Sequence, residues 1–145
     1  PKVLVAPFCG LRVLIDRHPP SADQHVLAAF IQEGYLERHI RRIRNVYAEN
    51  RKLIIQLIEH YIPKQHAFIE VGDQGMHMVL WFAEALDDLK IAQSALEAGV
   101  SVKAVSSTFS IPAKRSGLIL GLGDFDTIQI ENAIKLLAKI ILENI

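Results

Sequence analysis

The sequence predicts an α+β domain with a mostly antiparallel sheet, helices packed to one side of it and a long helix ahead of it. Three observations predict this. No Gly or Pro interrupts Tyr35 to Ile62, and apolar residues recur there at helical spacing. From His66 the apolar period shortens from about 3.6 residues to about 2. Strand-like and helix-like segments then follow in the order β-β-α-β-β-α.

Bulk composition sets the outer bounds. With 145 residues, half of them apolar, and a mean hydropathy of +0.22, the chain can bury one core. No apolar run reaches the roughly 18 residues that a membrane helix needs. The 16 basic and 16 acidic residues balance, so no global charge draws the chain to nucleic acid or to a bilayer. Cys9 stands alone, which excludes an intrachain disulfide and fits a reducing, cytoplasmic setting. The opening PKVLVAPFCG has no charged n-region or cleavage site, so it does not read as a signal peptide. A chain opening on Pro1 is expected to be a fragment of something longer.

In chain order, an irregular entry is expected first, then a short helix from about Pro7 that Pro19 and Pro20 stop. Ser21 and Gln24 have the spacing of a capping box, and Val26, Leu27, Phe30 and Ile31 give the second helix an apolar stripe. Gly34 ends it. The long helix carries Leu36, Ile40, Ile43, Tyr47, Ile54, Leu57, Ile58 and Tyr61 on its apolar side, and Pro63 follows it. Ala67–Val71 and Met76–Phe82, separated by Gly72-Asp73-Gln74-Gly75, read as a hairpin. Asp87–Ala98 reads as a helix stopped by Gly99, Val100–Val105 as a third strand, and Ser106–Ser116 as the longest irregular loop. Gly117–Leu122 is a fourth strand, in which close backbone approach accounts for Gly121 and Gly123. Asp126 and Gln129 cap the last helix, whose apolar side is Ile128, Ile130, Ala133, Ile134, Leu137 and Ile141.

Four groupings could carry chemistry. Arg38, His39, Arg41, Arg42 and Arg44 could contact phosphate, but the favoured reading is a solvated or interface-facing helix side, with Glu37 four residues ahead of Arg41. The six His residues, 18, 25, 39, 60, 66 and 77, follow no metal-ligand spacing, so no metal site is expected. Gly117–Gly123 is glycine-rich but lacks the Lys-Ser/Thr of a phosphate loop. Lys114-Arg115 on the loop is an anion-contact candidate, against the commoner solvated loop charge. No nucleophile–base grouping and no carboxylate pair stands out.

The string LIDRHPPSADQHVLAAFIQEGYLERHIRRIRNVYAENRKLI strongly resembles the MocR-type transcriptional regulators. The family pattern is met by Arg17 to Pro20, Gln24, Phe30, Ile31, Gly34, Arg38 to Arg42, Arg44, Tyr47 to Glu49 and Arg51. Gly75-Met76-His77, Ala98 to Val102, Ser106 and Gly117 to Gly123 resemble the pattern further on. Such regulators join a winged-helix DNA-binding domain to a body like a fold-type-I aminotransferase that binds pyridoxal phosphate.

The resemblance implies the C-terminal third of such a protein. Residues 1–34 would then be the end of the large cofactor domain with the subunit-crossing loop, 35–62 the connecting helix and 63–145 the small C-terminal domain. None of Lys2, Lys52, Lys64, Lys90, Lys103, Lys114, Lys135 or Lys139 has the family's context for the lysine that carries the cofactor as a Schiff base. That lysine is expected upstream of Pro1, so the chain by itself is expected to be inactive, with no catalytic residue of its own.

The loop Arg17–Ser21 would reach the neighbouring subunit of a homodimer, which makes Arg17, His18 and Ser21 candidates for its cofactor pocket; Ser21 is equally explained as an N-cap. The strand Gly117–Leu122 lacks the Arg that often holds a ligand carboxylate in the wider superfamily, and Lys103 and Arg115 are the nearest cationic substitutes. The implied ligand is an amino acid or amine effector, and DNA would be bound by an N-terminal domain outside this chain. Two other readings stay open: the small domain of a genuine class I/II pyridoxal-phosphate aminotransferase, and a dimerisation module without ligand contact.

Overall fold

The computed structural model describes residues 1–70, 75–110, 115–123 and 125–145. They form two compact units, residues 1–43 and 44–145.

The first unit holds α1 (Lys2–Asp16), α2 (Ser21–Gln32) and the start of α3 (Tyr35–Tyr61). Two expectations fail here. Helix α1 begins at Lys2 rather than near Pro7, and Pro7 sits inside it. Proline has no N–H for the carbonyl four residues back, but every residue of α1 is exposed, so water can pair that carbonyl. Ser21 is the first residue of α2 rather than its cap. Pro20 takes the cap position and its carbonyl accepts from the Gln24 N–H at 3.1 Å, so no side-chain cap forms. Gly34 ends α2 as expected, with φ of +74°. The stripe Val26, Leu27, Phe30 and Ile31 is present but exposed.

At 27 residues, α3 is about 40 Å long. Its residues from Arg44 on belong to the second unit, where Ile54, Ile58 and the following Ile62 enter the core. The sheet has the order β1-β2-β4-β3, with every neighbouring pair antiparallel. Strand β1 (Ala67–Ile69) and β2 (His77–Phe82) form the expected hairpin, with Ala67 opposite Phe82; residues 71–74 lie outside the described set. Strand β3 is only Lys103–Ala104, and β4 is Gly117–Gly121. One reason β3 is short is that the segment ahead of it is held by α4 (Asp88–Glu97): the Val100 N–H donates to the Ala95 carbonyl at 2.8 Å.

Alternation along the strands sets the two faces. Met78, Leu80, Phe82, Leu118 and Leu120 are buried on the inner face. The same core takes in Ile91 and Ala95 of α4, and Ile130, Ile134, Leu137 and Ile141 of α5 (Thr127–Leu142). These helical positions recur every three or four residues, so each helix offers one stripe to one side of the sheet. Each fully buried Leu or Ile contributes roughly 1.5–3 kcal/mol. Ile128, placed on that stripe by sequence, is 71% exposed in the first turn of α5. The capping box of α5 is formed: Asp126 accepts from the Gln129 N–H at 2.8 Å, and the Gln129 side chain accepts from the Asp126 N–H at 3.0 Å.

Candidate functional site: the outer face of the sheet

The face of the sheet away from the core carries Phe68, Val79, Trp81 and Ile119, all half-buried, with His77 and Lys103 exposed. Strand register arranges them in rows. Phe68, Trp81 and Gly117 face one another across β1, β2 and β4, and Val79, Ile119 and Lys103 do so across β2, β4 and β3.

Arg115, just ahead of β4, lies over the first row. Its guanidinium carbon is 4.1 Å from the centre of the Trp81 ring and 5.8 Å from that of Phe68, and Nη2 donates to Glu70 at 2.9 Å. Glu70 follows β1 and Arg115 precedes β4, so their ion pair bridges across β2 above its Trp81. Both ends are partly exposed, which limits the pair itself to under about 1 kcal/mol. The stacking holds the guanidinium flat against the ring. Lys114 lies outside the described residues.

Lys103 occupies the second row, opposite Ile119, and makes no ion pair or hydrogen bond with any described residue. The two cations expected from sequence therefore share a face but differ in state. Arg115 is committed to Glu70 and Trp81, whereas Lys103, beside a small apolar floor, has no partner among the described residues.

Beneath this face, Asp88 is the anchor that sequence reasoning missed. It is 3% exposed at the start of α4. Its Oδ2 accepts from the Ser106 N–H at 3.0 Å and the Gly117 N–H at 3.1 Å, and its Oδ1 accepts from the Ser106 hydroxyl at 2.5 Å. These bonds tie α4, the 3₁₀ turn Ser106–Thr108 and the start of β4 together. The close backbone approach expected at Gly121 and Gly123 is found at Gly117 instead. A Cβ there would stand 2.5 Å from the Leu80 carbonyl oxygen, whereas one at Gly121 would meet nothing and one at Gly123 only the Phe125 ring. The signal available in the sequence was the pairing of an Asp-Asp helix start with a Ser-Ser-Thr turn.

Arg17, His18 and Ser21 lie in the first unit, all exposed. Arg17 closes α1 with φ of +60°, a conformation uncommon for a side chain this large. His18 Nδ1 lies 3.3 Å from the Pro19 carbonyl, and neither Arg17 nor Ser21 has a side-chain partner among the described residues. A cation and a hydroxyl left available in one short turn suit an anionic group such as a phosphate. No group of His, Cys, Asp and Glu suited to a metal ion occurs among the described residues, and no helix there is long and apolar enough to cross a membrane.

No protein-family model matches the chain. Individual proteins do. It is 34% identical over 109 residues to a protein of Rhizobium meliloti described as "Probable rhizopine catabolism regulatory protein MocR", covering 75% of this chain and 22% of that one. It is 31% identical over 97 residues to an uncharacterized aminotransferase of Saccharolobus solfataricus, covering 66% of this chain and 24% of that one. The chain thus spans about a quarter or less of the length of these curated relatives. Among solved structures, the kynurenine aminotransferase of Pyrococcus horikoshii superposes with a TM-score of 0.80 over 92% of this chain and 33% of that one, at 23% identity. The fold is therefore the aminotransferase fold of type I, and by sequence the chain resembles the aminotransferase-like part of the MocR-type regulators.

Proposed function

We propose that this chain is the C-terminal, aminotransferase-like domain of a pyridoxal-phosphate-dependent transcriptional regulator, closing over an amino acid or amine effector. The observation that carries this reading is the 34% identity to the MocR protein in a chain with an aminotransferase fold. Pyridoxal phosphate, when bound, would supply an electron sink for chemistry at the ligand's amino group. The cofactor-bearing lysine would lie in the rest of the protein.

This chain's own residues would then bind and orient. Arg17, His18 and Ser21 would meet the cofactor phosphate of a partner subunit in a homodimer. Lys103 would hold the ligand carboxylate, because on the exposed face it has no partner among the described residues, while Arg115 already serves Glu70. Ile119 and Val79 beside Lys103 would exclude water from one flank of that contact, strengthening it. Closure would bias attached DNA-binding domains between two conformations by as much as the ligand's affinities for them differ. We assign the regulator to the cytoplasm.

The full-length protein tests this. Purified, it should carry the visible absorbance of bound pyridoxal phosphate, and an amino acid or amine should change both that absorbance and DNA binding. Lys103→Ala should weaken effector binding about tenfold or more with the cofactor still bound, and Arg115→Ala much less. An apoprotein that takes up no cofactor would overturn the proposal. The similarity to the Saccharolobus solfataricus aminotransferase supports a second reading, the small domain of a genuine aminotransferase. Repeated turnover of an amino acid with a keto acid, without effect on DNA, would select it.

A further inference from the structure

A concavity of about 820 Å³ runs along α3 within the second unit. Arg44, Ala48, Arg51, Lys52 and Ile55 line it, and their spacing of three, four and seven residues puts them on one side of the helix. Tyr47 and Gln56 flank this row and Gly75 closes it. Three of the described lining residues are cations and none is an acid. Glu49 is the one acid between Glu37 and Glu59. It is three residues before Lys52 and seven before Gln56, which puts it at the rim of the cleft, and it forms no ion pair with Lys52.

The walls are held in place. Arg51 donates to the Gly75 carbonyl at 3.1 Å, fixing the residues just ahead of β2 against α3. Arg44 and Lys52 are exposed, and neither has an ion pair or hydrogen bond with a described residue. Eight residues separate them, about 12 Å along the axis, with the apolar surface of Ala48 and Ile55 alongside.

We propose that this cleft binds a small organic dianion, one charged group on Arg44, the other on Lys52, and its apolar middle against Ala48 and Ile55. Guanidinium matches carboxylate and phosphate oxygens in pairs, and the ammonium acts as a point charge for either. The ligand class is thus an organic phosphate or a dicarboxylate. The cleft is open to solvent, so binding falls as salt rises. This site is separate from the Lys103 face and does not depend on the regulator reading.

Calorimetry on the full-length protein at low ionic strength tests it, with 4-phosphonobutyrate and adipate, each charged at both ends, as probes. Saturable binding is expected, weakened roughly fivefold or more by Arg44→Gln and by Lys52→Gln. Arg42→Gln, also exposed on α3 but outside the cleft, should leave affinity within about twofold. Stronger binding of 4-phosphonobutyrate identifies a ligand with a phosphate-like group at one end, and stronger binding of adipate a dicarboxylate. An equal loss in the Arg42 variant, or no saturable binding of either probe at millimolar concentration, overturns the proposal.

Discussion

Residues 1–43 and residues 44–145 use apolar side chains in opposite ways. In the first unit Leu14 is 84% exposed, Ile15 75%, Val26 69% and Phe8 65%, and no residue is buried. In the second, Leu80, Ile91, Leu118 and Ile141 are sealed from water in one core shared by sheet and helices. The first region satisfies its backbone in helices and the second in helices and a sheet, so backbone hydrogen bonding is not what either lacks. Burial distinguishes them. Helices of 15 and 12 residues are marginal in water without tertiary packing, and α1 and α2 have those lengths. The difference separates local structure, which both units have, from a core, which only residues 44–145 build.

The same deletion in each unit should break or sharpen that comparison. Leu80→Ala removes atoms with no solvent exposure, and should cost roughly 2–5 kcal/mol, read as a lower unfolding midpoint. In the same 145-residue chain, Leu14→Ala should shift that midpoint by less than about 0.5 kcal/mol. Equal effects would mean that α1 is packed in solution and that the contrast is wrong.

Asp88 offers a finer cut inside the second unit. Asp88→Ala strands the N–H groups of Ser106 and Gly117, and should cost about 2–4 kcal/mol in a denaturant titration. Asp88→Asn should cost much less. Its amide oxygen can keep both N–H bonds while its NH₂ donates to the Ser106 hydroxyl, which reorients. If Asn were as damaging as Ala, the negative charge rather than the bonding pattern would be what the site requires.

Gly117→Ala should cost about 1–3 kcal/mol, because backbone rather than a flexible side chain must yield. Gly121→Ala, with open space around it, is the matched control.

These sites also show what could be read in advance. The long helix, the hairpin, the cap at Asp126 and the stops at Gly34 and Gly99 were legible because each depends on residues close together in sequence. Both glycines have positive φ, +74° and +90°. The misreadings share a different origin. Gly117 rather than Gly121 meets neighbouring backbone because β4 is paired in one register with β2, which no local pattern encodes. Asp88 reads as a surface acid until the fold brings Ser106 and Gly117 to it from 18 and 29 residues away. Pro7 reads as a start signal in sequence, but an exposed helix tolerates it internally. Of the candidate site, Arg115 and Lys103 were named from sequence. Glu70, Phe68 and Trp81, which set the state of Arg115, were not, because they reach it only through strand pairing.

The smallest effect concerns the outer side of α5. The Lys135 ammonium lies 2.6 Å from Glu131 and 5.8 Å from the centre of the Tyr61 ring. Its pKa is raised from the ordinary value of 10.5, first by the hydrogen bond to Glu131 and then by that to Tyr61, with desolvation opposing. A raised folded-state value means that the contribution is fully present below the unfolded pKa, and is lost as pH rises through the higher folded one. Glu131→Gln should therefore lower the unfolding midpoint slightly near neutral pH, and the difference from the parent should vanish in strongly alkaline solution. A difference that persists there would assign the effect to packing or helix propensity rather than to the charge pair. The pair is exposed to solvent, so added salt should shrink the neutral-pH difference as well.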